Sequence, residues 1–419
     1  MVNGASKYLI IFSALSLLGN RLQEPHIMEG RGSTYNSLFK QTLLGQSNVK
    51  KVVHLIKDKQ PIGENRLYEY IDDKNITQCF GREIFTGVCN DGSCKPVRLR
   101  LYWDAIGDFL KYELPEGEGL EKNESDVFTK KDYKKLTEVL QNPVSVLNNY
   151  KIDELGLISK ADVLQNPDPT LNTHYFDEVV LKSEENDTVD GVTGATVVAI
   201  KDAVVEGAVY TTYTLWHIVY GQTRTKIKEL VEQKQDTSFM LHMLNSSKSS
   251  YQLWAIDQIK TKRLLQNQHF YPVIIAMLNG KDETVANWAL DLFEKDDLAD
   301  SKIQCDLYRV FDRSSISMKF NTLNKLRQAE TPNQEIVIKL LEDFIEDNLG
   351  PGIFTYIMDL TANIKEANEL LLSKLISLLS HPNFFVSRRV YMYLDTLENT
   401  AVSLQNELLK FRDAHQNGL

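Results

Sequence analysis

The residues best suited to chemistry form one short segment, Asp190-Gly191-Val192-Thr193-Gly194-Ala195-Thr196. It precedes a stretch from Val197 to Tyr220 in which apolar residues recur at three- and four-residue spacing, the pattern of a helix. The segment is therefore predicted to lie at a helix N-terminus, where unpaired backbone N–H groups and the helix dipole favour an anion such as phosphate. Gly194 and Ala195 let the backbone approach such a group closely. Thr196 adds a hydroxyl in the same turn.

The spacing Asp-x-x-Ser/Thr-Gly-Ala-Thr resembles the flavinylation motif of FMN-binding domains, such as those of the Na⁺-translocating NADH:quinone reductase and of Rnf-type complexes. In that family a flavin transferase of the ApbE type attaches FMN, through its phosphate, to the last threonine. The resemblance covers about a third of the chain. It implies that Thr196 carries a covalent FMN phosphoester and that five preceding residues complete the cofactor-binding motif. These are Asp190, Gly191, Thr193, Gly194 and Ala195.

Three residues of the following stretch are candidate flavin contacts, namely Tyr213, Trp216 and His217. On a helix, Tyr213 and Trp216 share a face with Tyr220, and such rings can pack on the isoalloxazine ring of a flavin. His217 lies beside them and could donate a hydrogen bond to the edge of that ring. Ordinary core packing is the alternative, and the sequence does not decide between the two.

Strand and helix signals identify an α+β region in the first half of the chain. Val97–Trp103 and Phe109–Leu114 alternate apolar and polar residues on either side of a turn, which predicts a β-hairpin. Thr129 and Asp132 have the spacing of a capping box that begins a helix. The stretch Val49–Ile56 fits a short helix or a strand, and its pattern does not distinguish them.

From about Arg224 to the end, strand signals vanish and short amphipathic helices take over. Helices of about ten to fifteen residues joined by short turns predict stacked antiparallel pairs. The segment His381–Val390 resembles the turn and second helix of a HEAT-like repeat, and a non-repetitive helical domain is the alternative. The predicted helices are Ser250–Leu265, Glu283–Phe293, Gln334–Asp347, Lys365–Leu379 and Ser387–Leu397.

The first residues predict an export signal. Lys7 precedes an apolar run over Tyr8–Gly19, which is too short for a bilayer span of roughly 20 residues but fits a signal-peptide core. A buried N-terminal helix is the alternative. Export permits disulfides, so Cys89 and Cys94, which flank a turn-forming Asn-Asp-Gly-Ser, are predicted to pair. Cys79 is a competing partner, and plain buried thiols or a metal site are the other interpretations.

These observations predict four segments. They are a signal peptide at 1–21, a lead-in segment at 22–75, an α+β FMN-binding domain at 76–223 and an all-α, HEAT-like domain at 224–419. The formal charge of −10 and the lack of a basic cluster argue against nucleic acid as a partner. No stretch of the mature chain is apolar enough to span a membrane. The chain has no P-loop, no Gly-x-Ser-x-Gly elbow and no His-Glu-x-x-His, and no metal site is predicted.

The expected function is that of an exported, periplasmic or otherwise extracytoplasmic flavoprotein in electron transfer. It would act as an electron carrier or reductase subunit rather than as a stand-alone catalyst, because the flavin supplies the redox chemistry. The implied partners are a flavin transferase of the ApbE type and a redox partner protein. The alternative is a helical-repeat scaffold or binding protein whose FMN-like domain carries no flavin.

Overall fold

The computed structural model describes residues 50–56, 65–88, 95–122, 126–152, 200–346, 349–397 and 402–415. The chain forms two compact units that divide between Gln233 and Lys234. In their described residues the first unit combines a β-sheet with helices and the second consists of helices and turns. The coarse prediction of an α+β part followed by an all-α part is confirmed. The boundary expected at 223–224 falls at the start of a helix that belongs to the first unit.

The first unit is built on a five-stranded antiparallel sheet in which each strand pairs with its neighbours in the chain. A meander of this kind needs only short connections, because consecutive strands run in opposite directions. The strands are β1 Lys50–Leu55, β2 Arg66–Ile71, β3 Thr77–Thr86, β4 Val97–Asp104 and β5 Phe109–Glu113.

The predicted hairpin is confirmed as β4 and β5, which pair antiparallel. Asp104 shapes the turn between them, since its Oδ1 accepts hydrogen bonds from the backbone N–H groups of Ile106 at 3.1 Å and Asp108 at 3.0 Å. Gly107 has φ of 88° in that turn, a conformation that glycine adopts without strain. The ambiguous stretch Val49–Ile56 contains β1, which pairs with β2 over its whole length.

Three helices of the first unit pack beside the sheet, namely α1 Lys130–Gln141, α2 Val209–Tyr220 and α3 Gln222–Gln233. The buried guanidinium of Arg82 on β3 donates to the hydroxyl of Thr223 on α3 at 2.7 Å. The predicted capping box of α1 is confirmed. The Thr129 backbone N–H donates to the Asp132 carboxylate at 2.8 Å, and the Asp132 N–H donates to the Thr129 hydroxyl at 3.4 Å.

The continuous helix predicted over Val197–Tyr220 is wrong. Residues 200–203 are helical, but the chain then turns and α2 begins only at Val209. Gly207 has φ of 73° in this turn, a left-handed conformation that cannot continue a helix. The turn is packed into the unit, because its side chains are buried at Val204, Val205 and Ala208.

The described residues of the second unit form helices joined by turns. Their apolar spacing predicted this class, and every helix buries one face. The helices are α4 Thr237–Leu244, α5 Ser249–Lys262, α6 Tyr271–Leu278, α7 Glu283–Leu290, α8 Ser301–Arg313, α9 Ile316–Leu326, α10 Gln334–Ile345, α11 Pro351–Thr361, α12 Glu369–Leu378, α13 Phe384–Leu394 and α14 Val402–Ala414.

Consecutive helices of the second unit pack as pairs, from α4 with α5 to α12 with α13. The second helices of successive pairs also pack on one another, α5 on α7, α7 on α9, α9 on α11 and α11 on α13. The first helices of the pairs begin at residues 237, 271, 301, 334 and 369, so the pairs recur every 30 to 35 residues. The unit is therefore a stack of helix pairs in chain order.

Candidate functional site

The predicted attachment motif lies in the segment 153–199, outside the described residues. The structure defines the chain on both sides of that segment, and we call residues 142–152 the exit stem and residues 200–208 the return stem. The candidate site is built from these two stems and from α2, which contacts both. The predicted site residues outside the described part are Asp190, Gly191, Thr193, Gly194, Ala195 and Thr196, together with Cys89 and Cys94.

The exit stem contains a short 3-10 helix, Val146–Asn149, that follows the end of α1. Ser145 caps it, since its Oγ accepts a hydrogen bond from the backbone N–H of Leu147 at 3.2 Å. The Leu147 side chain is fully buried. The stem is therefore fixed both by its cap and by a residue in the core.

Two side chains of α2 bind carbonyl groups at the end of α1. The Tyr220 hydroxyl donates to the Leu140 carbonyl at 2.7 Å, and the indole N–H of Trp216 donates to the Asn142 carbonyl at 2.9 Å. The last four carbonyl groups of a helix have no partner within it. The polar ends of these two rings supply the missing donors while their apolar parts fill the core.

Two further side chains of α2 bind the exit stem. The Tyr213 hydroxyl donates to the Tyr150 carbonyl at 2.8 Å, and Nε2 of His217 lies 3.1 Å from the Leu147 carbonyl. A carbonyl oxygen only accepts, so Nε2 must carry the proton in this contact. Burial lowers the pKa of His217 below its usual value, which favours the neutral ring in that tautomer.

The rings of these residues also pack on one another. The ring centres of Tyr213 and His217 are 4.1 Å apart, those of Trp216 and His217 5.0 Å, and those of Trp216 and Tyr220 4.9 Å. The polar atoms of the three candidate flavin contacts thus bind main-chain carbonyls, an arrangement that gives them a role in the fold. Contact between their ring faces and a flavin stays a prediction.

The return stem is held by the residue next to Tyr213. The Thr212 hydroxyl accepts a hydrogen bond from the backbone N–H of Val205 at 3.1 Å and donates to the Ala208 carbonyl at 2.8 Å. The Ala208 N–H in turn donates to the Val205 carbonyl at 2.9 Å. Since Thr212 and Val205 are fully buried, water cannot replace these bonds without opening the unit.

Trp103 on β4 joins the sheet to α2. Its side chain is 0 % exposed, and its indole N–H donates to the Val219 carbonyl in the last turn of α2 at 3.0 Å. The helix that contacts both stems is thereby fixed to the sheet. An indole N–H that reaches an otherwise unsatisfied helix carbonyl explains why a residue this large is fully buried here.

The opposite face of the sheet carries a polar and aromatic cluster that the sequence analysis did not single out. Tyr70 and Tyr102 lie on either side of Gly81, where an added Cβ would come within 3.1 and 3.2 Å of their rings. The Tyr102 hydroxyl donates to the Glu113 carboxylate at 2.9 Å. The signal was present in the sequence, because Tyr68 and Tyr70 alternate along β2, and Arg100 and Tyr102 along β4, with residues that face the other side of the sheet.

Burial makes this cluster unreactive near neutral pH. It raises the pKa of the Cys79 thiol to about 11 and the pKa of Tyr70 to about 12. A thiol attacks only as its thiolate, so Cys79 is a poor nucleophile where it stands. It is a free thiol in the structure and forms part of the core of this face.

The second helices of the second unit are joined by shared carboxylates. Asp291, at the end of α7, lies 3.1 Å from the Lys260 ammonium on α5 and 3.5 Å from the Lys325 ammonium on α9. Asp359 on α11 repeats the arrangement with Arg327 and Arg389. The distances there are 3.2 and 2.7 Å. Each aspartate thus bridges the helix pairs before and after its own, and we call these contacts the bridging aspartates.

A cavity of about 530 Å³ lies between the α6–α7 turn and the α8–α9 turn. Lys281, Arg313 and Ser315 are among its lining residues, and Asn287 and Asn321 meet beside it with an amide hydrogen bond of 2.8 Å. Trp288, one residue along α7, is 49 % exposed. These features give the helix stack a surface with both aromatic and polar groups.

Within the described ranges, no three His, Cys, Asp or Glu side chains are grouped as metal ligands. In the same part of the chain no helix is both long and apolar enough to cross a bilayer. Comparisons of the chain with protein-family models, with curated proteins and with solved structures find no match.

Proposed function

We propose that the protein is an exported flavoprotein that carries FMN esterified through its phosphate to Thr196 and that acts in extracytoplasmic electron transfer. The observation that carries this proposal is the motif Asp190–Thr196, in which every specified position of the flavinylation pattern is present. By average residue usage, such a match is expected by chance in on the order of one in a thousand chains of this length.

A phosphoester link to Thr196 does not require a preformed binding pocket inside the protein. It needs the Thr196 hydroxyl and a segment that a flavin transferase can recognise, while the flavin supplies the redox chemistry once it is attached. The side chains of Tyr213, Trp216 and His217 use their polar atoms on the main chain. In this proposal the three rings support a tethered flavin from below through their faces. Their polar atoms do not donate hydrogen bonds to the edge of the flavin ring, because they already bind the main chain.

The return stem limits how far a group attached to Thr196 can move from the first unit. Ile200 is buried, and Thr196 precedes it by four residues. An extended chain spans at most about 3.6 Å per residue, so Thr196 lies within roughly 14 Å of Ile200. A group attached to Thr196 can extend beyond that distance only by the length of the group itself. A tether of this kind supports a carrier that presents its flavin to another protein.

The second unit supplies a surface for such a partner. We propose that it is a HEAT-like array, which the recurrence of helix pairs every 30 to 35 residues and the bridging aspartates support. Helix-pair stacks present extended surfaces, and redox partners usually bind weakly through small contacts. The partners of the proposal are a flavin transferase of the ApbE type and a redox protein.

The test is the intact mass of the mature protein after co-expression with such a transferase and export. The expected result is a gain equal to FMN less one water. The Thr196 oxygen forms a bond to the flavin phosphate, the bond between that phosphate and its leaving group on the nucleotide donor breaks, and the hydroxyl proton leaves with that group. The gain should vanish in Thr196→Val, a nearly isosteric change that removes only the acceptor hydroxyl. Thr188→Val, in the same segment but outside the motif, is the matched control and should keep the full gain.

An unmodified wild-type mass, with no flavin fluorescence on a denaturing gel, would refute the proposal. So would a flavin that persists in Thr196→Val. Either result would favour the second candidate, a helical scaffold or binding protein, for which the stacked helix pairs and the exposed Trp288 are the supporting observations. The second unit would then be expected to bind a protein partner through the surface of its helix stack.

A further inference from the structure

The cavity between the α6–α7 and α8–α9 turns is a local opening in the helix stack of the second unit. On one side of it, the Ser249 hydroxyl at the start of α5 donates to the Asp282 carboxylate before α7 at 2.5 Å. On the other side, Gly352 in α11 lies against the Phe320 ring of α9, since a Cβ added there would be 3.5 Å from the ring. Between these contacts about 530 Å³ stays open, a volume typical of small-molecule sites.

The polar groups that line this cavity are mostly hydrogen-bond donors. Lys281 in the α6–α7 turn supplies an ammonium, and Arg313 at the end of α8 supplies a guanidinium. The Ser315 oxygen accepts a hydrogen bond from the Met318 N–H at 3.4 Å, which leaves the Ser315 O–H available as a donor. A ligand rich in oxygen acceptors would complement these groups.

The amide pair beside the cavity adds a further donor. The Asn321 side-chain amide donates to the Asn287 side-chain oxygen at 2.8 Å, and both residues line the cavity. This bond leaves the NH₂ group of Asn287 available to donate. The amide that offers this group is thus held in place by its neighbour on α9.

The electrostatics of the lining favour an anion. Within the part of the chain that the structure describes, neither Lys281 nor Arg313 has a carboxylate at ion-pair distance. Cations on the neighbouring helices are paired, as Lys260 and Lys325 are with Asp291. The lining has two cations against the single carboxylate of Glu283, so it is locally positive in a chain whose formal charge is −10.

We propose that this cavity binds a small organic anion that bears carboxylate or phosphate groups. The Arg313 guanidinium can bind two oxygens of such a group at once, and the Lys281 ammonium adds a point charge from the other turn. The buried side chains of Leu278, Ala286 and Met318 give the carbon skeleton of the ligand an apolar surface to contact. The site belongs to the second unit and does not depend on flavin at Thr196.

The test is isothermal titration calorimetry of the full chain with three probes. Citrate carries carboxylates, glycerol phosphate carries a phosphate, and glycerol is the neutral control. The expected result is saturable binding of citrate or of glycerol phosphate with a Kd below about 10 mM, and no binding of glycerol. The probe that binds more tightly identifies the acidic group that the site prefers.

Charge-removing variants locate the binding. Arg313→Gln and Lys281→Gln should each weaken it about tenfold, because each removes a charge-assisted hydrogen bond. Arg388→Gln and Lys365→Gln are the matched controls, since they remove exposed cations of the second unit that do not line the cavity. Both controls should bind the anion as the wild type does.

Two further variants separate the cavity from its charge. Glu283→Gln removes the carboxylate of the lining and should strengthen binding of the anion. Ser317→Phe places a large ring at an exposed position of the lining and should block binding with no change in charge. An unchanged urea midpoint in each variant shows that the fold is intact.

The proposal would be overturned if neither anion binds saturably to the wild type. Equal binding in the wild type, Arg313→Gln and Lys281→Gln would also overturn it. So would equal weakening in Arg388→Gln and Lys365→Gln, because the anion would then be attracted to positive charge in general. None of these outcomes bears on the attachment of flavin to Thr196, which the intact mass decides.

Discussion

Removal of one hydroxyl should measure how much the aromatic face of α2 stabilises the first unit. Tyr220→Phe keeps the ring and removes only the donor to the Leu140 carbonyl, a bond of 2.7 Å. Leu140 is 0 % exposed, and its carbonyl is one of those that α1 cannot satisfy. A buried acceptor left without a partner costs more than an average hydrogen bond, so the expected loss is about 1 to 2 kcal/mol.

The assay is urea unfolding followed by tryptophan fluorescence. The chain has four tryptophans, of which Trp254 and Trp288 belong to the second unit. In a background with both of these replaced by phenylalanine, the signal comes from Trp103 and Trp216 and reports the first unit. At a slope of about 2 kcal/mol per M, the expected loss lowers the midpoint by roughly 0.5 to 1 M urea.

Tyr112→Phe is the control for this experiment. The Tyr112 hydroxyl donates to the Tyr133 carbonyl at 3.3 Å, and that carbonyl also accepts from the Thr137 hydroxyl at 2.9 Å. No acceptor is left unpaired, so the loss should be under about 0.5 kcal/mol. Equal losses of unfolding free energy in the two variants, or no measurable loss in Tyr220→Phe, would refute the reasoning. The rings of α2 would then not stabilise the first unit by binding helix carbonyls that have no other partner.

Two predictions concern pH. Burial raises the pKa of Tyr70 and Tyr220 to about 12 in the folded protein, against about 10 in the unfolded chain. Their contribution to the free energy of unfolding is therefore complete below pH 10 and is lost as pH rises through 12. An ultraviolet titration should show late-ionising tyrosines, and the urea midpoint should fall over that window. Hydrogen bonds from Thr129 lower the pKa of Asp132 to about 2. The contribution of this carboxylate to the free energy of unfolding is therefore complete above about pH 4 and is lost as pH falls through 2. Asp132→Asn should cost about 1 kcal/mol at neutral pH and remove that acid-dependent step from the urea midpoint.

Local patterns predicted most of the elements that depend on neighbouring residues. Alternation identified the β4–β5 hairpin, and the Thr129–Asp132 spacing identified the start of α1. In the second unit, two helices begin at other residues than the apolar pattern predicts, because an asparagine cap sets each start. Asn368 caps α12 and Asn383 caps α13, and each helix begins directly after its cap rather than at the first residue of the apolar pattern.

What the sequence could not show depends on contacts between distant residues. Within the ambiguous stretch, Lys50–Leu55 is a strand because β2 pairs with it, which no pattern within the stretch itself can reveal. Apolar spacing runs through residues 197–220 without a gap, but the buried return stem requires the chain to turn at Gly207. The aromatic face of α2 was identified, yet its partners are backbone carbonyls about 60 to 80 residues away.

The bridging aspartates bear on the mechanics of the second unit. The main helix contacts there join pairs that are adjacent in the chain, so a bend imposed at one pair passes to the next through the packed helices and the bridging aspartates rather than through a common centre. The unit should therefore behave as an elastic filament whose joints are partly ionic and whose segments are apolar. Since salt screens such exposed charges and leaves buried apolar contacts intact, raised ionic strength should weaken the ionic part of each joint without melting the segments.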